Sequence, residues 1–202
     1  MALAEPPPRR RGWHDHVPPL TDGGVALRML RIGDAPSLLG HLHDPRVVQH
    51  IAAPPSTLDG FRQFIRWTQA ERRRRGFTCL GIVPPGESRP AGVIQVWPVE
   101  SDFSTAEWGF ALGASQWGTG LFTRAASLLL DALFTELGVY RLEARSVDIN
   151  VRGNRAFEKL GATREGTLRG GFRDGDIVRD HLMWSILAPE WMARRTELRH
   201  AN

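Results

Sequence analysis

With 202 residues, 42% of them hydrophobic, the chain is long enough for one domain with a substantial core. Its 26 basic residues (all arginine except Lys159) exceed 22 acidic ones by a formal +4. No run approaches the roughly 20 apolar residues of a membrane span, and the single Cys79 excludes an internal disulfide and fits a reducing compartment. The opening residues lack the apolar core and small-residue cleavage site of a secretion signal, so a cytoplasmic protein with no membrane partner is expected.

Residues 1–23 carry Pro6-Pro7-Pro8, Arg9-Arg10-Arg11 and Pro18-Pro19. Such a segment buries too little apolar surface to offset its ordering entropy, so a flexible arm is predicted, docked locally by Trp13. The domain proper is expected over 24–190, with a tail over 191–202. Alternation over Val25 to Leu30 predicts a first strand, and Asp34 is placed as the N-cap of a helix from Ala35 to about His43. His41 and His43 stand two apart, on different helix faces, so no metal site is read there. Asp44-Pro45 ends that helix. Ser56 or Thr57 caps a second one, in which Phe61, Phe64, Ile65 and Thr68 keep the spacing of one apolar face. The arginine run 72–75 reads as a solvated helix end that complements the dipole. Two strands, Phe77 to Val83 and Gly92 to Val99, flank the turn Pro84-Pro85-Gly86.

The centre of the chain is Trp108 to Phe122. A strand over Glu107 to Leu112 breaks at Gly113, and the loop Gln116-Trp117-Gly118-Thr119-Gly120 opens a helix running to about Leu137, with Gly138 as its C-cap. Unpaired N–H groups and the positive dipole end favour an anion at such a helix start, so the Gly-x-Gly turn suggests a pyrophosphate seat. A dinucleotide fingerprint would need a third glycine. A triphosphate loop would need Gly-Lys-Ser/Thr where Gly120 is followed by Leu121-Phe122-Thr123. A strand over Leu142 to Val147, a helix over Val151 to Leu160 ended by Gly161, and strands near Ala162 to Leu168 and Ile177 to Leu187 follow. A loop over 169–175 joins the last two, and a short helix is predicted from Pro189.

Several segments in this order resemble the GNAT superfamily of acyl-CoA-dependent N-acyltransferases, and within it the ribosomal-protein N-terminal acetyltransferase-like (Rim-type) branch. They are Ala106-Glu107-Trp108-Gly109-Phe110, Trp117-Gly118-Thr119-Gly120-Leu121-Phe122, Leu142-Glu143-Ala144-Arg145, Asn150 with Asn154 to Phe157, Lys159-Leu160-Gly161-Ala162, Arg164 to Arg169, and Arg179-Asp180-His181. The resemblance runs from about Val25 to Trp191. Trp117 and Phe122 depart from it, standing where the superfamily loop usually opens with Arg or Gln and ends with Gly or Ala. The resemblance implies a single α/β domain whose mixed, mostly antiparallel sheet splays at the cofactor site between flanking helices. It implies acetyl-CoA as co-substrate and no metal. The pantetheine arm would pair with the backbone of Phe110, Ala111 and Leu112 in the gap beside the 142–147 strand. Trp117, Gly118, Thr119, Gly120, Leu121 and Phe122 would hold the pyrophosphate. Asn150 and Asn154 would bond the arm, although Asn150 could instead cap the helix it precedes, and Arg155 would reach a CoA phosphate.

The implied reaction is direct attack of a neutral primary amine, on a protein N-terminus or a small molecule, upon the acetyl thioester. An α-amine with pKa near ~8 needs only a modest base, whereas a lysine near ~10.4 needs far more help. Glu107, sharing strand parity with Gly109 and Ala111, is the first candidate; Glu143, Asp148 and Asp180 come after it. Phe172 and Arg173, together with the helix from Phe61, are assigned to acceptor binding. The family's familiar acids are absent: the lone Tyr140 precedes a strand, and Phe157 and Gly153 occupy the places a tyrosine and a serine would take. Two rival readings are a silent acyl-CoA sensor on the same fold and, last, a basic RNA- or ribosome-binding module. No RNA motif with interleaved aromatics supports the latter, and a monomer or homodimer without nucleic acid is expected.

Overall fold

The computed structural model describes residue 13 and residues 17–200, so the expected arm over 1–12 and 14–16 lies outside the described residues. In chain order the elements are β1 (Leu20–Asp22), β2 (Val25–Met29), α1 (Ala35–Leu42), α2 (Pro45–Val48), α3 (Leu58–Arg75), β3 (Thr78–Val83), β4 (Gly92–Pro98) and β5 (Thr105–Leu112). They continue with α4 (Leu121–Thr135), β6 (Arg141–Val147), α5 (Val151–Leu160), β7 (Thr163–Asp174), β8 (Ile177–Leu187) and α6 (Ala188–His200). The strands form one sheet in the order β1-β2-β3-β4-β5-β6-β8-β7. Every pairing is antiparallel except β5 with β6.

Helices cover both faces because alternate strand residues are apolar on each side. On one face α4 buries Leu121, Ala125, Leu129, Leu130 and Leu133 against Val25, Leu27, Ile94 and Trp108. On the other, α1 and α3 bury Leu38, Phe61 and Ile65 against Cys79 and Val93. Thr57 caps α3 by accepting the Gly60 N–H at 3.0 Å, as read from the sequence, and Gly76 ends it in the left-handed region at φ 75°.

Four expectations are corrected. Asp34 stands at the N-cap position of α1 but its side chain makes no cap bond: its backbone is already helical, and its carboxylate folds back to accept the Arg31 N–H at 2.8 Å and both Arg28 Nη groups at 2.7 and 2.9 Å. The segment assigned to an arm contains β1, which pairs with β2 from Leu20 to Asp22, and the buried Val17 and Trp13. The expected loop over 169–175 belongs instead to a long β7–β8 hairpin: pairing resumes at Phe172↔Arg179 after an irregularity beyond Leu168, and the Asp180 carboxylate accepts the Gly170 N–H at 2.8 Å. The C-terminal residues continue as α6, where buried Trp191 donates its indole N–H to Asp131 on α4 at 2.8 Å. Among the described residues, no helix is long and apolar enough to cross a membrane.

Candidate active site

The sheet opens between β5 and β6. They pair in parallel only from Thr105↔Arg141 to Glu107↔Glu143; beyond this β5 follows β4 as far as Leu112, while β6 follows β8 as far as Val147. Each strand therefore leaves one row of backbone groups toward the gap, and buried backbone groups require partners. The register shows which residues contribute. Gly113 N–H donates to Ala91 O at 2.9 Å, so by the two-residue alternation of an antiparallel ladder Ala111 and Gly109 also direct their amides to β4. Phe110 and Leu112 face the gap. The Leu112 carbonyl already accepts the Trp117 indole N–H at 2.9 Å. Of the three residues expected to pair with a pantetheine arm, Phe110 thus offers both groups and Leu112 its N–H. Ala111 is excluded as a backbone partner and instead lines the cleft.

A cleft of about 730 Å³ straddles this gap. Gly109, Phe110 and Ala111 line it from β5, and Arg145, Ser146 and Val147 from β6. Asn150, Gly153 and Phe157 close one end, while Phe64, Trp67, Phe77 and Trp97 line another wall. Phe157 sits edge-on to both Trp108 and Phe110 with centroids 5.6 Å apart and presents an apolar ring to the cleft. Tyr140 is exposed at the start of β6, away from the cleft lining.

The glycine loop is adjacent but does not line that cleft. Gly118 and Gly120 take φ 79° and 81°, which favours glycine, and no atom lies within 4 Å of a Cβ built on either. The loop face is therefore open. The N–H groups of Leu121, Phe122 and Thr123 form the first turn of α4, where none has an intrahelical acceptor; Leu121 N–H makes only a 3.3 Å contact with the Thr119 hydroxyl. Phe122 turns inward to stack on Phe110 at 3.9 Å, joining loop to gap. The Arg152 guanidinium lies 4.3 Å above the Trp117 ring and Arg46 lies 6.0 Å from it. The loop thus has arginine neighbours that the sequence reading missed; Arg155, the one it chose, is exposed one turn further along α5.

The two asparagines divide. Asn150 lines the cleft and also caps α5, its Oδ1 accepting the Gly153 N–H at 2.9 Å. Asn154 is corrected: it is buried, its Nδ2 donates to Val147 O and Asp148 O at 3.2 Å each, and its Oδ1 accepts the Trp184 indole at 3.1 Å. It fastens the β6–α5 turn to β8, and both ends of its amide are engaged within the protein. Arg173 is corrected as well, since its Nε donates to Gly175 O at the hairpin tip, outside the cleft lining, whereas Phe172 does line the cleft.

Glu107 stands where the parallel pairing ends. It is cross-strand from Trp97 and from Glu143, and its Oε1 lies 3.4 Å from Arg145 Nε. Burial raises its pKa above the ordinary carboxylate range; Arg145 pulls the other way, Glu143 adds to the rise, and Trp97 opposes it. Both Trp97 and Arg145 line the cleft, so the carboxyl lies directly behind its wall. The other carboxylates are engaged elsewhere: Glu143 accepts Arg141 Nε at 2.7 Å, Asp148 accepts the Ile149 N–H, and Asp180 holds the hairpin. His181 also lines the cleft, edge-on to Phe172 at 5.8 Å, and its buried Nδ1 has no protein partner. Burial lowers its pKa, Arg145 adds to this, and Asp148 opposes it. Its alternation with the apolar residues of β8 was the signal that could have marked it.

Residues 25–163 match the model of the Acetyltransferase (GNAT) domain, and the chain belongs to this family. It is accordingly an acyltransferase of the N-acetyltransferase type. Over 135 residues it is 28% identical to the probable N-acetyltransferase YjcK of Bacillus subtilis (strain 168), covering 66% of this chain and 75% of that protein. Over 125 residues it is 27% identical to spermidine N(1)-acetyltransferase of Escherichia coli (strain K12), covering 62% and 63%. In fold alone it is similar to ribosomal-protein-S5-alanine acetyltransferase from Vibrio fischeri, with TM-score 0.75, 16% identity and coverage of 87% and 99%. The microcin C7 self-immunity acetyltransferase MccE, solved with acetyl-CoA and AMP, is likewise similar in fold, with TM-score 0.73, 20% identity and coverage of 82% and 93%.

Proposed function

We propose that the chain transfers an acetyl group from acetyl-CoA to a primary amine by direct attack, with Glu107 as the base. The observation that carries this reading is the β5–β6 gap, which presents the Phe110 backbone beside the cleft and ends at Glu107. Acetyl-CoA supplies an activated thioester carbonyl. The Phe110 N–H and C=O and the Leu112 N–H are placed to pair with an extended amide-bearing arm, as a further strand would. The first-turn N–H groups of α4 and the guanidinium of Arg152 are placed to receive its phosphates. The amine nitrogen forms a bond to the thioester carbon as its proton passes to Glu107, and the carbon–sulfur bond breaks to release the thiolate. A thiol with pKa near ~8.5 is a tolerable leaving group without a tyrosine acid, consistent with Phe157 at that position.

The test is thiol release from acetyl-CoA across a panel of amines, with Glu107→Gln beside the wild type. The variant is expected to lower kcat about 100-fold, the scale of a positioned general base, while calorimetric affinity for CoA stays within twofold. Wild-type turnover by the variant with every accepted amine removes Glu107 from the mechanism.

A further inference from the structure

One wall of the cleft is a run of rings. Phe64 stacks on Trp67 with centroids 6.2 Å apart, Trp67 meets Phe77 at 5.0 Å, and Phe77 stacks on Trp97 at 6.1 Å. Trp97 then stands cross-strand from Glu107. The run therefore leads from the surface, where Trp67 is 50% exposed, to the base. Ile51, Pro54 and Pro55 continue the apolar lining. The ionisable residues on the lining are Arg145, His50 and His181; among the described residues, no aspartate or glutamate lines it.

Resting on the acetyltransferase reading, we infer that the acceptor is an α-amine on an aromatic or bulky apolar aminoacyl unit, whose side group lies along Phe64, Trp67, Phe77 and Trp97 while its amine reaches Glu107. A polyamine is the opposite case. Its additional ammonium groups would lie against apolar walls, Arg145 and two histidines, with no carboxylate on the lining to replace their hydration, and buried charge without a partner is strongly disfavoured. A flat apolar group gains from the same surface, since ring-lined clefts bind by burial and stacking. The carbonyl side of the aminoacyl unit falls toward Arg145, which is 46% exposed and can receive either a carboxylate or an amide oxygen.

The experiment compares kcat/KM for phenylalanine amide, free phenylalanine, alanine amide and spermidine, with calorimetric binding of each amine measured separately. Phenylalanine amide or phenylalanine is expected to exceed alanine amide at least tenfold in both readouts, with spermidine below alanine amide. A preference for the amide identifies peptide N-termini, and one for the free acid identifies amino acids. Trp67→Ala should raise the KM for the aromatic acceptor at least fivefold and leave that for acetyl-CoA unchanged, and Trp67→Phe should restore it. Spermidine used as well as phenylalanine amide, or Trp67→Ala affecting all acceptors equally, overturns the assignment. Thiol release without aromatic preference sinks only this inference. Selective aromatic binding with no thiol release from any amine sinks the catalytic reading, and leaves the ring wall as a site for aromatic amines without an acceptor role.

Discussion

Glu107 and Arg145 form a pair in which one side chain sets the working range of the other. A base must be ionised to accept a proton, so with Glu107 as the proposed base activity is expected to rise with pH through its pKa. Burial raises that pKa, and the acid limb of kcat/KM is therefore expected above the ~4.3 of an unperturbed glutamate. Arg145, 3.4 Å away, favours the charged form and limits the rise. Arg145→Gln removes that attraction, so the acid limb should move to higher pH. The second limb, set by the acceptor amine, should stay in place because it belongs to the substrate. A pH profile with an acceptor of low amine pKa measures both. An acid limb unmoved by Arg145→Gln would mean that another group titrates there, and His181, on the same cleft, would be examined next.

The element proposed to hold the cofactor's phosphates is the short loop ahead of α4. Gly120 has φ 81°, a conformation that costs an L-residue about 1–2 kcal/mol, but a Cβ there meets nothing within 4 Å. Gly120→Ala should therefore lower stability modestly, with acetyl-CoA affinity falling less than tenfold. Gly120→Asp suffers the same strain and also sets a carboxylate beside the proposed phosphate seat, where like charges repel. Its affinity should fall at least a further hundredfold. Calorimetry on both variants separates strain from charge, and equal losses would place the phosphates elsewhere. This loop was legible in the sequence because a Gly-x-Gly turn between an apolar strand and a long amphipathic run is local chemistry. So were Thr57 as a cap and the limits of α5, fixed by Asn150 and Gly161. The hairpin was not. Arg169-Gly170-Gly171 and Asp174-Gly175 carry turn residues, and what keeps β7 paired is a carboxylate ten residues from the amide it accepts. Asn154 and Ala111 were misread for a related reason: their roles depend on Trp184 and on the β4 register, both distant in the chain.

At the scale of the molecule, the N-terminal segment ties both helical layers to the sheet. Trp13 is buried in the core under α4, while its carbonyl accepts Arg72 Nη1 from α3 on the opposite face at 2.9 Å. Val17 is buried as well, β1 extends the sheet beyond β2, and Arg124 of α4 donates to Asp22 O and Gly23 O in the turn between those strands. The segment thus closes one edge of the sheet and is held at several points, far from Glu107 in the strand order β1-β2-β3-β4-β5. Large-to-small substitution of a buried Trp costs about 3–5 kcal/mol when the cavity cannot collapse. Trp13 is 7% exposed, so Trp13→Ala is expected to lower stability on that scale. Urea unfolding should show the midpoint falling with little change in slope, and Trp13→Phe should recover most of the loss. Because this anchor and the cleft share no residues, KM for both substrates should stay within twofold at temperatures where the variant is folded. A midpoint equal to that of the wild type would show that the segment does not brace the two layers. A selective rise in the acceptor KM would show instead that the anchor communicates with the cleft, through α3, which carries both Arg72 and the ring-wall residues Phe64 and Trp67.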